Sequence, residues 1–339
     1  MPDTRVRRAA ALSTGLVVSA VAVAGAALLS LAVGAQDIPF GTVLDALFHP
    51  DPELGQHLII TESRLPRTVV GLLAGAALGL AGAVIQAVTR NPLADPGILG
   101  VNAGAALFVV FGISILGISS LTGYVWLGFA GAAVASVIVY AIGSMGRGGA
   151  TPVKVALAGA AMSAALTSFT TAVLLTDVET FDQFRFWQVG SLAGRGMDIA
   201  LQGLPFVAVG IAVALLSTRS LNALALGDDV AASLGQNVAA ARMIAGVAVV
   251  LLCGTATAMA GPIGFVGLVV PHVARMITGP DYRWLLPYSM LFAPLLLLLA
   301  DVLGRIVTSP AEVQVGIVTA VIGAPIFVAL ARRRRLAEL

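Results

Sequence analysis

The stretch RLPRTVVGLLAGAALGLAGAVIQAVTRNPLADPGILGVNAG, residues 64–104, contains a run of apolar and small residues near 69–88 that no charged side chain interrupts. A helix needs about 20 mostly apolar residues to cross a bilayer core of roughly 30 Å. The run has that length, so we expect a membrane-spanning helix. The segment NPLADPG follows at 91–97, and its two prolines and glycine predict that the helix ends there.

The rest of the chain has the same character. Of its 339 residues, 58% are hydrophobic and only 11% are charged, and the mean hydropathy is +0.99. Soluble domains carry roughly 25% charged residues. So few charges also exclude a disordered or nucleic-acid-binding chain, and the single cysteine, Cys253, excludes a disulfide scaffold. No strand-like alternation runs through the apolar segments. We therefore expect an all-α, polytopic integral membrane protein.

The apolar runs predict about ten spans with both termini cytoplasmic. With that orientation, 14 of the 19 Lys and Arg residues lie inside and 5 outside, as expected for membrane proteins. Nine or eleven spans are alternatives, and the segments on either side of Gly261-Pro262 are alternatively one kinked helix. The predicted spans lie near 12–34, 69–88, 99–117, 122–143, 153–175, 201–217, 243–260, 262–277, 284–304 and 313–331.

The first segment also has features of a secretory signal. Basic residues at 5–8 precede an apolar run that ends in Val33-Gly34-Ala35, a small-residue sequence typical of cleavage sites. A signal core spans only about 7–15 residues, whereas this run exceeds 20. We favour an uncleaved first span.

Small and charged residues inside the spans allow two interpretations each. Gly71, Gly75 and Gly79 line one helix face, which favours close helix packing, with sliding during gating as the alternative. Asp301 is the one acidic residue deep in a span, and Arg305 lies one turn later. The two form either a self-neutralising pair or part of a transport pathway.

Catalytic and cofactor motifs are absent from the sequence. Lys154 is the only lysine, and it lies outside any Gly-Lys-Ser/Thr phosphate-binding motif. No histidine pair has metal-ligand spacing. We therefore expect no enzyme activity, cofactor or metal on this chain, and any ATP hydrolysis must occur on another polypeptide.

Two inner stretches differ from ordinary spans. The segment at 91–97 is either a turn or a structured constriction, because irregular backbone at membrane depth must face protein or a water-filled cavity. Residues 221–242 predict one or two short helices broken at Gly227 and Gly235. Their apolar residues Leu224, Leu226, Val230 and Leu234 predict either a docking surface or a helix lying on the membrane.

Several long motifs, in one order, resemble the FecCD family of ABC-transporter permeases, which includes subunits for iron(III)–siderophore, haem and vitamin B12 import. The resemblance covers about residues 36–332. It rests on RLPR (64–67), Gln86 with RNPLADPGILGVNAG (90–104), LALG (224–227) with SLG (233–235), GPIGFVGLVVPHVAR (261–275), LLLLLADVLGR (295–305) and VGIVTAVIGAPIF (315–327).

The resemblance implies a ten-helix subunit like those of type II ABC importers in the cytoplasmic membrane. Two such subunits, identical or related, enclose one pathway. Two ATPase subunits carry ATP and Mg, and an extracytoplasmic binding protein delivers the substrate. The family pattern implies three groups of site residues. The residues that dock the binding protein are Arg64, Arg67 and Arg305. The inner gate consists of Asn91, Leu93, Thr151 and Pro152. The residues that couple to the ATPases lie within the coupling loop 221–242 and are Leu226, Gly227, Asp228, Asp229, Leu234 and Gly235.

The sequence departs from the family pattern in two places. Gln314 stands where the family usually has proline, so the entry to the last span lacks a fixed helix start. The gate loop reads Thr-Pro-Val-Lys at 151–154, where Ser/Thr-rich sequence is usual. We expect alternating access for an iron(III)–siderophore, with haem or cobalamin as alternative substrates. An ion-coupled secondary transporter would have only Asp301 as its ion-coupling residue, and an intramembrane enzyme only His272.

Overall fold

The computed structural model describes residues 2–332 except 35, 119, 147–150 and 310, and within these ranges the protein is all-α. A π-helical turn, Ile59–Arg64, joins α3 to α4, and a 3-10 turn, Pro96–Leu99, precedes α5. The helices are α1 Pro2–Ala32, α2 Phe40–Phe48, α3 Gly55–Leu58, α4 Leu65–Thr89, α5 Val101–Ser114, α6 Leu121–Ser144, α7 Pro152–Thr176, α8 Val178–Gln188, α9 Met197–Leu216, α10 Thr218–Ala225, α11 Asp228–Ser233, α12 Val238–Ala260, α13 Val266–Thr278, α14 Tyr282–Val307 and α15 Val315–Arg332.

Each of the ten predicted spans overlaps one of these helices. Within the described ranges, seven helices have the length and composition needed to cross a membrane, and three shorter apolar helices accompany them. The number of crossings and the side on which the termini lie stay predictions. The long helical segments are Val6–Ala32, Gly55–Thr89, Thr122–Ser144, Pro152–Thr176, Met197–Leu216, Val238–Ala260 and Tyr282–Val307; the shorter ones are Val101–Ser114, Val266–Thr278 and Val315–Ala329.

Helix α4 is the centre of the fold and packs against α9, α12, α13 and α14. Its glycines make this possible. A Cβ on Gly75 would overlap the backbone of Pro294 in α14, and one on Gly79 would overlap the Ser289 carbonyl oxygen. Because the absent side chains let the helices touch, the packing interpretation of the glycine face is confirmed.

The segment at Gly261-Pro262 separates two helices rather than kinking one. Gly261 ends α12 with a φ of 75°, and Phe265 precedes α13 with a φ of 67°. Two residues in the left-handed region, on either side of a proline without a backbone N–H, cannot continue an α-helix. This break leaves α13 only 13 residues long.

Helix α1 lies on the outside of the bundle and contacts α14 along its length. The Tyr288 hydroxyl donates to the Leu12 carbonyl oxygen at 2.9 Å, and Arg8 Nη2 donates to the Thr278 carbonyl oxygen at 3.1 Å. Most of the surface of α1 stays exposed, as expected for a helix that faces lipid.

Candidate functional site

A buried charge cluster joins α4 and α14 at the end of the molecule that we predict to be external. The Asp301 carboxylate accepts hydrogen bonds from Arg67 Nε at 2.9 Å and Nη2 at 2.8 Å, and from Arg305 Nη2 at 2.6 Å. Arg67 Nη1 also donates to Glu312 Oε2 at 2.7 Å. Asp301 is only 1% exposed, so its charge is balanced inside the protein. The predicted (i, i+4) pair is confirmed, and it has a further arginine.

The same arginines bind the C-terminal end of α1. Arg64 Nη1 donates to the carbonyl oxygens of Leu31 and Ala32, both at 2.7 Å. Arg305 Nη1 donates to the carbonyl oxygens of Ser30 at 2.8 Å and Val33 at 2.9 Å. These are carbonyl groups that the helix itself leaves without partners, and cations there also complement the helix dipole. The cluster therefore fixes the end of α1 against α4 and α14.

This geometry bears on the three predicted docking arginines. Arg64, Arg67 and Arg305 are 6%, 8% and 3% exposed, so none projects from the surface. A carboxylate on a binding protein would have to compete with Asp301, Glu312 or the end of α1 for them. Their docking role stays a prediction. Sequence reasoning missed Ser30, whose hydroxyl accepts from Arg305 Nη2 at 2.7 Å, because a lone serine in an apolar helix gives no signal.

The inner turn at residues 90–100 is held by its own polar side chains. Arg90 ends α4 in the left-handed region, Asn91 Oδ1 accepts from the Leu93 backbone N–H at 2.9 Å, and Asp95 Oδ1 accepts from the Gly97 backbone N–H at 2.8 Å. Burial raises the pKa of the Asp95 carboxyl, while the Gly97 hydrogen bond opposes that shift. This segment has a defined structure rather than that of a loose turn.

The other predicted gate residues start α7. Thr151 Oγ1 accepts from the Lys154 backbone N–H at 3.4 Å, and Pro152 is the first residue of the helix, as proline favours. About two turns further on, α7 touches the inner turn, because a Cβ on Gly159 would overlap the Ile98 carbonyl oxygen. The structure thus brings α7 against the segment that carries Asn91 and Leu93. The loop before Thr151 includes residues 147–150, which lie outside the described ranges.

Pro152 also lines an apolar cavity of about 470 Å³. Its walls come from the inner end of α4, from α6, and from the first half of α12. Arg242 and Thr89 are among the few polar residues at its edge.

The coupling loop has the predicted breaks and short helices. Gly227 and Gly235 have φ values of 113° and 80°, and they flank α11. Asp228 and Asp229 occupy the first turn of α11, where the helix dipole favours negative charge. Asp228 also accepts from Arg242 Nη2, with both carboxylate oxygens at 2.8 Å.

The apolar residues of the coupling loop divide into two groups. Leu226 and Leu234 are 65% and 63% exposed, and Val230 is 43% exposed, so these three form an unpartnered apolar surface. Leu224 is only 2% exposed. The expectation that Leu224 belongs to the exposed set was wrong, because α10 turns that side of the helix toward the core.

Sequence reasoning also missed the residue that anchors α10. Asn222 Nδ2 donates to Asp281 Oδ1 at 2.8 Å, and Asn222 Oδ1 accepts from the Tyr282 backbone N–H at 2.9 Å. Asp281 in turn caps α14. Direct hydrogen bonds therefore join α10 to the inner end of α14.

Helix α7 has an unusual exposed face. Of the 18 most apolar consecutive residues of α7, only 11% are buried, whereas 78% are buried in the corresponding stretch of the helical segment that includes α4. Bulky apolar side chains of α7 are exposed, among them Leu157, Phe169 and Leu175, and beside them a stripe of exposed residues at helical spacing is small or carries hydroxyl groups. The stripe consists of Ala160, Ala164, Thr167, Ser168 and Thr171. Small residues in such a stripe would let a second helix approach closely.

Within the described ranges, no group of three or more His, Cys, Asp or Glu residues is arranged to hold a metal ion. His49 and His57 both approach the Asp45 carboxylate, at 3.5 and 3.6 Å. Both contacts lie within the same predicted outer loop, and they provide no metal coordination shell.

Comparison with known proteins gives one consistent result. The FecCD transport family model matches residues 10–333. The ferric enterobactin transport system permease protein FepD of Escherichia coli is 48% identical over 90% of this chain and 91% of its own. A probable siderophore transport system permease protein of Bacillus subtilis, YfiZ, is 45% identical over 82% and 84%.

A solved structure has the same architecture. It is described as an inward-facing conformation of a putative metal-chelate type ABC transporter, and it superposes with a TM-score of 0.83. The two chains are 28% identical over 95% of this chain and 99% of the other. Fold and sequence comparisons therefore agree over nearly the whole length of the protein.

Proposed function

Because the chain belongs to the FecCD transport family, we propose that it is the permease subunit of an ABC importer that carries an iron(III)–siderophore into the cytoplasm. It is a multi-pass protein of the cytoplasmic membrane and a transport subunit. The observation that carries the substrate proposal is the similarity to a ferric enterobactin permease over nine-tenths of both chains.

The proposed mechanism is alternating access. The exposed small-residue face of α7 would line the pathway beside a second permease subunit, identical or related. The inner gate would form where α7 meets the turn that carries Asn91 and Leu93, with Thr151 and Pro152 at the start of the moving helix. Two conformations of these contacts, each stabilised at a different stage of the ATP cycle, are sufficient for transport.

The energy would come from two partner ATPase subunits that carry ATP and Mg. Their contact surface would be the apolar group Leu226, Val230 and Leu234, together with the exposed Asp229. Gly227 and Gly235 would allow the sharp turns that present α11. Asn222 supports this proposal, since it links the coupling loop to α14. An extracytoplasmic binding protein would dock at the end that carries Arg64, Arg67 and Arg305.

The experiment that tests this function is uptake of radioiron by proteoliposomes that contain the permease, its ATPase and its binding protein. We expect ATP-dependent uptake of a ferric siderophore, and none of hemin or cyanocobalamin. An ATPase variant without its phosphate-binding lysine is the matched control and should abolish uptake. Preferential uptake of hemin or cyanocobalamin would identify one of the alternative substrates. Uptake that survives without ATP but collapses with the proton gradient would identify a secondary transporter.

A further inference from the structure

Arg195 is a buried arginine that has no acidic partner. It lies in the loop between α8 and α9 and is only 5% exposed. Its Nε donates to the Ser191 carbonyl oxygen at 3.2 Å. Among the described residues, no carboxylate pairs with it, whereas Arg67 and Arg305 share Asp301 and Arg185 pairs with Asp182. Arg64 is also buried without an ion pair, but its guanidinium donates to three backbone carbonyl groups, whereas that of Arg195 donates only to Ser191 among the described residues.

The burial of this cation is energetically unfavourable. Loss of water lowers the pKa of the Arg195 guanidinium to about 10, and no neighbouring charge opposes the shift. At neutral pH the group is still protonated, so the protein holds a largely buried positive charge that no described carboxylate neutralises. Buried charges are normally paired. A negative charge from outside the chain would stabilise this arrangement.

The surroundings of Arg195 also favour an anion. It stands immediately before α9, a helix of 20 residues whose N-cap, Gly196, has no side chain to cap the first N–H groups. Helix N-termini attract anions through those groups and through the helix dipole. The carboxylate in the first turn, Asp198, is exposed and lies beside Gly196, where a Cβ would overlap its Oδ1, but it forms no ion pair with Arg195. The terminal nitrogens of Arg195 donate to no described residue and are not sealed from solvent.

The loop lies at the outer end of the predicted pathway. The Ser191 backbone N–H donates to the Ala260 carbonyl oxygen at 2.7 Å, where α12 ends. The Gly316 backbone N–H donates to the Gly190 carbonyl oxygen at 3.1 Å, at the start of α15. The same loop packs Leu192 against Gly71 in α4. Arg195 is thus attached to the bundle beside the entrance, and not to a peripheral loop.

We propose that Arg195 binds an anionic oxygen group of the transported ferric chelate at the outer mouth of the pathway, an inference that rests on the proposed function. A planar guanidinium pairs with two oxygens of a carboxylate or catecholate at once. A side chain this deeply buried is reached more easily by a small chelate than by the surface of a docking protein. A neutral chelate would leave the cation unpaired, so the site selects anionic chelates.

The test compares two chelates of opposite electrostatic character in the reconstituted complex. Ferric enterobactin is a tris-catecholate with net negative charge, and ferrichrome is a tris-hydroxamate without net charge. We expect Arg195→Gln to lower initial uptake of ferric enterobactin at limiting concentration by about tenfold or more, the equivalent of one charge-assisted hydrogen bond. Ferrichrome uptake should change by less than about twofold on the same scale. Arg185→Gln, which removes an exposed external arginine, is the matched control and should change neither.

Stability separates binding from a structural role. Removing an uncompensated buried charge should leave the melting temperature of the permease–ATPase complex unchanged or raise it, and Arg195→Lys should retain part of the uptake. A lower melting temperature with equal loss of both chelates would show a structural role and overturn the inference. Equal loss at an unchanged melting temperature, with weaker binding of the binding protein, would show docking and overturn it as well.

Two further outcomes would also decide against the site. Unchanged uptake of both chelates by Arg195→Gln would reject it, as would a wild-type complex that carries only ferrichrome. That last result would leave the proposed function intact. A wild-type complex that carries neither chelate would instead reject the proposed function, so the two failures are distinguishable.

Discussion

Asp301 balances two buried arginines that come from different helices. Arg67 lies 234 residues earlier in the chain, and Arg305 lies one turn later on the same helix. In a medium of low dielectric constant, each of these charges is stable only while the others remain. The same arginines hold the end of α1, so one carboxylate supports three helices.

The first prediction concerns this carboxylate. Asp301→Asn removes the negative charge and leaves Arg67 and Arg305 buried together, which should destabilise the protein by about 3–5 kcal/mol. Thermal melting of the purified permease in detergent measures the effect. Asp182→Asn is the control, since its pair with Arg185 is about half exposed on both sides and should contribute almost nothing. Equal melting temperatures for the two variants would contradict the role of Asp301.

A second prediction concerns Glu312, the outermost member of the cluster. Its side chain is 33% exposed and competes for Arg67 Nη1 with any carboxylate that arrives from outside. If Arg67 docks a binding protein, Glu312→Gln should strengthen docking several-fold, because it removes the internal competitor. The dissociation constant of the binding protein, measured by surface plasmon resonance on the nanodisc-embedded complex, checks this. Weaker or unchanged binding would remove Arg67 from the docking surface.

At the scale of elements, α4 packs closely against its neighbours because its glycines have no side chains. Its glycines bring its backbone against α14 and, at Gly82, against the backbone of Gly267 in α13. In lipid there is no hydrophobic force between helices, so such close approach supplies much of their attraction. The short helix α13 has few other contacts of this kind.

The third prediction tests that contact. A methyl group at Gly82 would overlap the Gly267 carbonyl oxygen, and backbone cannot rotate away as a side chain can. Gly82→Ala should therefore lower stability by about 1–3 kcal/mol through overpacking. Gly25→Ala in α1 is the matched control, because a Cβ there meets nothing within 4 Å and alanine favours the helix. Melting temperatures that fall equally in both variants would argue against a packing cause.

At the scale of the whole molecule, the proposed sites lie at opposite ends of the same helices. Asn222 and Asp281 join the coupling loop to the inner end of α14, and Asp301 joins the outer end of α14 to α4 and α1. Helix α14, which has 26 residues and includes Pro287 and Pro294, is the physical connection between them. The two ends are therefore joined through one helix, with no intervening loop.

The fourth prediction concerns the inner end. Leu226→Glu with Leu234→Glu places charges on an exposed apolar surface, so the permease should still fold. Its affinity for the ATPase subunits should fall at least tenfold, as expected when residues in the core of an interface are changed. Co-purification and ATP hydrolysis measure the loss. Leu54→Glu with Leu58→Glu alters two exposed leucines of the outer loop and should leave assembly intact. Full assembly of the first variant would exclude this surface as the ATPase contact.

The sequence by itself determined the membrane class, the all-α fold and most helix ends. These properties are local: the length of an apolar run decides whether it spans, and Gly227, Gly235 and Gly261 end helices through their own backbone freedom. The Asp301–Arg305 pair was also predictable, because helical spacing alone brings the two residues together.

Only the tertiary structure decided which charges are paired and which surfaces are free. It brought Arg67 to Asp301 across most of the chain, turned Leu224 inward while Leu226 and Leu234 remained exposed, and buried Arg195 without a carboxylate. No sequence pattern records such contacts, since they depend on how distant helices pack. The physical reason is the low dielectric of the interior, where the position of each neighbouring charge determines what a residue contributes.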